Sequence, residues 1–338
     1  MPSATEKIER LREETPDGEI PYFSKSRIKS WETCPRKFYH TYILGKRGEE
    51  TFAMKQGTRI HEVFEDYYAN VVQHYKPKEG QEIPPFPPDP DYLVQFLPDD
   101  TLRWADWMEF MSNFLVWECE RAKNSLKNND SIERAIVSWL PVGIEEEAWE
   151  SQTDGPPRMG FADVIVNSSS VKEVESNDGV VIVDFKTGKT PKKKYRNKGI
   201  FLEGEYYGMI FDDLYDVVGV AGFYPKAGDF IVSDLSKKRR DHVNEIIESI
   251  NEAIDCEGMP PEENFPIDEQ PLCMWGTGEG ESCDFYNECP SKWGIPAENK
   301  EVFVGMVENG SNAYQIADYL ECEVNVVYYW ARKFDLDL

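Results

Sequence analysis

Apolar residues at Ile60, Val63, Phe64, Tyr67, Tyr68, Val71, Val72 and Tyr75 recur at helical spacing and predict an amphipathic helix opened by Gly57-Thr58-Arg59-Ile60-His61. A second helical stretch, rich in Trp and Met, is expected over 102–126, with Trp104, Trp107 and Trp117 packing a core. Between these helices, prolines at 77, 84, 85, 87, 88 and 90 make 76–91 an irregular surface excursion. Downstream the pattern changes to short apolar runs bounded by turn residues. These predict strands at Val142–Trp149, Met159–Val166, Val180–Lys186, Val217–Tyr224 and Phe230–Ser233, with helices at about 200–214 and 236–255. The expected fold is α/β, a mixed sheet flanked by helices. The last forty residues predict three short helices, Glu301–Glu308, Ala313–Leu320 and Val324–Phe334. Three regions follow: a charged N-terminal segment over 1–19, a main domain over 20–292 and an all-α module over 299–338.

Charge complicates this picture. The chain has 63 acidic against 37 basic residues, a net charge of −26, which repels nucleic acid at long range. The basic residues are not evenly spread, however. Lys186, Lys189, Lys192, Lys193, Lys194, Arg196 and Lys198 form a run without an intervening acid, a candidate phosphate-contacting segment, and Lys237-Lys238-Arg239-Arg240 repeats the theme. The global acidity suits a protein working at high salt, where the Debye length shrinks to roughly 3 Å at 1 M; that reading requires the fold to weaken in dilute buffer. No apolar stretch approaches the length of a membrane span and the N-terminus is not signal-like, so a cytoplasmic location without membrane attachment is expected.

The chemistry starts at Asp184-Phe185-Lys186, which ends the run Val180-Val181-Ile182-Val183. Alternation puts Asp184 and Lys186 on one face of the strand and Phe185 on the other, in the core. Upstream, Gly160-Phe161-Ala162-Asp163 ends a turn and opens the next run, Val164-Ile165-Val166. Two carboxylates on adjacent strand ends can share Mg²⁺ or Mn²⁺, hard cations that prefer oxygen and leave positions open for phosphate. His61, at the edge of its helix stripe, is either a surface histidine or a third ligand approaching from a packed helix.

The segment from Ser24 to Phe38 (SKSRIKSWETCPRKF), then Gly57 to His61, Gly160 to Asp163, and Asp184-Phe185-Lys186-Thr187-Gly188 occur in the order found in RecB-type nucleases. The chain resembles that branch of the PD-(D/E)XK superfamily, which includes CRISPR-associated and AddB-type iron–sulfur exonucleases. The resemblance implies a restriction-endonuclease-like sheet and a metal-dependent DNA exonuclease acting on ends or single strands. Asp163, Asp184, His61 and the Phe185 carbonyl would then hold Mg²⁺ or Mn²⁺, with Lys186 activating water. It also implies a Gln-x-x-x-Tyr block at 203–207, which supplies Tyr207 as a further catalytic residue. Glu203 stands in place of the glutamine, and a carboxylate repels DNA phosphate where an amide does not.

Seven scattered cysteines, an odd number, argue against a disulfide scaffold. The resemblance pairs Cys34 with Cys273, Cys283 and Cys289 as ligands of a 4Fe-4S cluster. Four thiolates also suit structural zinc, and nine residues separate Cys273 from Cys283 where the family usually has two. Cys119, Cys256 and Cys322 are expected to be buried apolar cysteines.

The C-terminal module resembles a helix-turn-helix, with a helical cap for protein docking as the other reading. A non-catalytic DNA-binding or regulatory protein is the competing function, and the intact His, Asp, Asp, Lys set argues against it. Gly188-Lys189-Thr190 lacks the upstream glycine of a phosphate-binding loop, so unwinding would fall to a separate helicase or recombination partner, or the substrate would already be single-stranded.

Overall fold

The computed structural model describes residues 4–46, 52–76, 82–98, 107–150, 155–176, 178–269, 273, 283–285, 289 and 299–338. Its helices are α1 (Ala4–Glu14), α2 (Lys25–Thr33), α3 (Pro35–Phe38), α4 (Phe52–Tyr75), α5 (Pro90–Leu93), α6 (Met108–Asn128), α7 (Ile132–Trp139), α8 (Ile200–Phe211), α9 (Lys237–Ile254), α10 (Lys300–Glu308), α11 (Ala313–Tyr319) and α12 (Val324–Lys333). The strands are β1 (Gly143–Glu150), β2 (Arg158–Asn167), β3 (Val180–Phe185), β4 (Val217–Tyr224) and β5 (Asp229–Ser233). Among the described residues, no helix is long and apolar enough to cross a membrane. The chain forms two compact units: residues 1–32 with 52–255, and residues 33–51 with 256–338.

The first unit holds one mixed sheet in the order β1-β2-β3-β4-β5. Only β3 and β4 run parallel, and α8 is the crossover between them. Every residue of β3 is buried, which is why its sequence is a continuous apolar run rather than an alternating one. One face of the sheet, through Val164, Val166, Val181, Val183, Phe185, Ala221 and Phe223, packs against the stripes of α4 and α6. Trp107 joins that core, and Trp117 stacks on Phe223 and Phe230. The other face receives α8 at van der Waals range: side-chain carbons placed on Gly204 or Gly222 would lie 2.7 Å from Val220 and 2.8 Å from Ile200.

Two glycines sit differently from their local reading. Helix α4 begins at Phe52, so Gly57 lies inside it; a Cβ at Gly57 would sit 3.4 Å from the Thr187 hydroxyl, so glycine lets this turn pass close to the chain just after Lys186. Gly160 to Asp163 lie within β2, as the strand expected over Met159–Val166 has them, and not at the end of a turn. A Cβ at Gly160 would meet Ile210 at 2.5 Å and Tyr207 at 2.7 Å, so the glycine there is a packing requirement of α8.

In the second unit, Arg36 donates to the Phe265 carbonyl and pairs with Glu262, while Phe38 and Tyr39 pack on the Phe265 ring. Helices α10 to α12 close around Phe303, Ile316, Val327 and Trp330, and Cys273 and Cys283 pack at the edge of that cluster. A capping box between Asn312 and Gln315 starts α11. Of the three cysteines expected to be buried, Cys119 is, Cys322 is half-buried, and Cys256 is exposed, because it falls beyond the end of α9.

Candidate active site

The register explains how the two aspartates meet. Val164 pairs with Val183 across the antiparallel β2–β3 ladder, and one step further along lie Asp163 and Asp184. Both are buried, on the face opposite the α4–α6 core. The Phe185 N–H donates to Asp163 Oδ2 at 2.6 Å, fixing that carboxylate against the end of β3. From α4, His61 places Nε2 3.0 Å from the Phe185 carbonyl and Nδ1 3.5 Å from Asp163 Oδ1. Burial opposes charging of the imidazole, but the hydrogen bond and charge of Asp163 outweigh it and raise the histidine above its ordinary value.

Asp184 is enclosed by cations. Lys25 Nζ lies 2.5 Å from Oδ1 and Lys186 Nζ lies 2.5 Å from Oδ2. Burial alone would favour the neutral acid, yet the two ammonium groups hold Asp184 well below the usual carboxylate range. Lys186 is kept charged in turn by Asp184 and by Glu203, whose Oε2 is 2.9 Å away. The other Glu203 oxygen accepts from Lys29 at 2.7 Å. Glu203 in place of the family glutamine is therefore a buried carboxylate with two cationic partners, and they lower it despite its burial.

Tyr207 is buried with its ring 5.0 Å from Lys25 Nζ, and desolvation pushes its phenol up to about 12, so it is neutral at physiological pH. Hence the structure brings together Asp163, Asp184, Phe185, Lys186, His61 and Tyr207. Among the other predicted contacts, Lys189, Lys192, Lys193 and Lys194 are exposed, Arg196 is half-buried and donates to the Pro191 carbonyl, and Lys198 pairs with Glu32. Arg239 and Arg240 turn from solvent to the buried Glu205, so the second basic run is partly consumed by the fold.

Three residues at this site were not read from the sequence: Lys25, Lys29 and Glu145. Glu145 sits on β1 with φ at 45°, a strained value for a residue with a side chain. Its ladder position, between Ile144 opposite Val164 and Glu146 opposite Ala162, faces Asp163. One ligand atom each from His61, Glu145 and Asp163 lie within 4.8 Å of one another. The donors suit a hard divalent cation: carboxylate oxygens, the Phe185 carbonyl and one imidazole nitrogen, with Asp184 Oδ2 buried and lacking a well-angled hydrogen bond. Burial and the Asp163 charge push Glu145 up to about 7. A carboxyl raised in the folded state costs stability as pH climbs through the interval between its unfolded value and 7. Glu145→Gln is therefore expected to raise metal-free stability above pH 7 by on the order of 1 kcal/mol after solvent screening, seen as a higher melting temperature, and to do little below pH 4. Equal melting of both proteins at pH 8 would contradict this. The signal in the sequence was weak, since Glu145, Glu146 and Glu147 are consecutive and nothing local distinguishes the inward one.

The family model of the PD-(D/E)XK nuclease superfamily matches residues 22–290. No curated protein matches the chain. The matched segment spans all five strands, Asp163, Asp184, Lys186 and His61, and it covers well over half of the sequence. The chain belongs to the PD-(D/E)XK nuclease superfamily.

Proposed function

We propose that the protein is a Mg²⁺- or Mn²⁺-dependent deoxyribonuclease of the RecB-type branch, an exonuclease acting on DNA ends or single strands in replication, recombination or repair. The observation that carries this reading is the convergence of Asp163, Asp184, the Phe185 carbonyl, His61 and Lys186 where the end of β3 lies beside the middle of β2. A divalent cation held by Asp163, Asp184, the Phe185 carbonyl and His61, with Glu145 beside them, would polarise the phosphate and make bound water a better nucleophile. The protein's own groups prepare the rest. With its Nε2 proton donated to the Phe185 carbonyl, His61 would give up its Nδ1 proton, held by Asp163 in the metal-free site, when a cation binds there. Lys186, fixed by Asp184 and Glu203, holds its charge next to the attacking water. Digestion of end-labelled single- and double-stranded DNA tests the substrate: release of label from ends supports exonuclease action, and internal cuts alone would contradict it.

The exposed lysines after the strand are proposed to track the DNA backbone. Replacing Lys192, Lys193 and Lys194 by glutamine is expected to weaken binding to all sequences alike and to flatten the salt dependence by roughly one counterion per lost contact. An unaltered slope would mean a merely solvated run. In the second unit, α12 is proposed as a helix for the DNA major groove, supported by the turn at 320–323 between two packed helices.

Cys34, Cys273, Cys283 and Cys289 are proposed as ligands of a 4Fe-4S cluster, which would clip distant parts of the chain together. In support, the Cys283 N–H donates to the Cys273 carbonyl at 2.6 Å, and all four cysteines are half-buried. Anaerobically purified protein is expected to be brown, with iron and acid-labile sulfide in about equal amounts, and to lose its colour in Cys34→Ser. Stoichiometric zinc without sulfide would replace the cluster by a structural zinc site.

A further inference from the structure

Two lysines touch Asp184, and they are not equivalent. Lys186 has a second carboxylate, Glu203, at 2.9 Å, and Lys29 holds the far oxygen of that acid. Among the described residues Asp184 is the one carboxylate within ion-pair reach of Lys25. Whenever Asp184 commits its charge elsewhere, Lys186 keeps a counterion and stays in place. Lys25 is left with a full charge, aimed at the same point.

Its delivery is built into the fold. Phe23, wholly buried, bridges to the start of β2: its N–H donates to the Pro157 carbonyl at 2.7 Å, and its own carbonyl accepts from Met159 N–H at 2.9 Å. Helix α2 starts immediately after, with Ser24 accepting from Arg27 and Ile28, so Lys25 projects from the first turn of a helix anchored to the strand that bears Asp163. The Lys25 side chain is 21 % exposed against 5 % for Asp184, so of the two it lies nearer the opening of the site. The Tyr207 ring centre lies 5.0 Å from the ammonium.

We propose that Lys25 is a second catalytic lysine whose ammonium binds a non-bridging oxygen of the scissile phosphodiester, while Lys186 remains tied to Glu203. This role rests on the nuclease reading above. Hydrolysis forms one P–O bond to water and breaks the P–O bond to the leaving nucleoside, with a water proton ending on the leaving oxygen. Lys25 transfers no proton in this sequence; it contributes fixed positive charge where negative charge accumulates on phosphorus-bound oxygen. It also accounts for Glu203: the carboxylate that partly neutralises Lys186 accompanies an extra lysine that restores the site's positive charge.

The test compares Lys25→Met and Lys25→Arg with the parent on labelled single-stranded DNA in Mn²⁺, alongside calorimetric titration with Mn²⁺ alone. Lys25→Met is expected to lower kcat by roughly 100- to 1,000-fold with KM changed less than about threefold, the size of effect seen when one charge-stabilising donor is lost. Its Mn²⁺ affinity should equal or exceed the parent's, because an ammonium that competes for Asp184 has gone. Lys25→Arg should recover at least about a tenth of kcat. A Lys25→Met enzyme within threefold of the parent, a Lys25→Arg enzyme as inactive as Lys25→Met, or a defect that saturating Mn²⁺ fully repairs would each overturn the role. A parent protein that binds Mn²⁺ but leaves DNA intact would overturn the nuclease reading, and this role with it.

Discussion

Asp184→Asn protein is expected to fold, to melt cooperatively and to cleave DNA at least roughly 1,000-fold more slowly than the parent, equivalent to about 4 kcal/mol of lost transition-state stabilisation. The substitution keeps the shape of the side chain and one oxygen for Lys25 or Lys186, so packing around β3 is preserved. Lys186 also retains Glu203. What disappears is the negative charge that both a cation and two ammonium groups seek. Steady-state cleavage beside a thermal melt checks both halves of the expectation. Near-normal turnover by a folded Asp184→Asn enzyme would place the chemistry elsewhere.

The largest expected loss of stability lies under the site, in the α4–α6 layer. Glu118, 1 % exposed, accepts from Tyr68 Oη at 2.8 Å, Arg121 Nη1 at 2.6 Å and Trp139 Nε1 at 3.0 Å. Glu118→Ala would strand a buried guanidinium and leave two further donors without this acceptor, a loss of about 3–5 kcal/mol. Arg121 keeps only neutral partners in that variant, the Trp139 carbonyl and the Ser170 hydroxyl. Denaturant unfolding should show the midpoint falling sharply with an unchanged slope. Replacing both members, as in Glu118→Leu with Arg121→Met, is expected to recover much of the loss because no charge is then left unpaired. A single-variant cost below about 1 kcal/mol would show the network to be dispensable.

The strands were legible because burial imposes composition on them. Val217–Tyr224 runs over the residues its apolar pattern predicts, and β3 differs only in ending at Phe185. Alternation then placed Asp184 and Lys186 together and sent Phe185 to the core, where it packs on Phe64, Tyr68 and Phe114. What the sequence concealed were the charges that arrive from far away. Lys25 and Asp184 are 159 positions apart, and Lys29 and Glu203 are 174 apart, so no local period links them. Lys25 and Lys29 also lie one turn apart on a short, mostly polar helix, a pattern that reads as an ordinary surface. The start of α4 was obscured because Gly57 resembles an N-terminal signal, whereas its role is to admit Thr187. Gly160, inside the expected strand but also read as the end of a turn, is glycine because its lack of a side chain seats Tyr207 and Ile210 against β2. In both cases a tertiary contact, invisible locally, decided the residue.

The most direct measurement sets three reactions side by side on the same end-labelled DNA: parent protein with Mn²⁺, parent protein with EDTA, and Asp184→Asn protein with Mn²⁺. The account predicts product in the first alone. Equal product with EDTA would contradict metal dependence, and equal product from the Asp184→Asn protein would contradict the site.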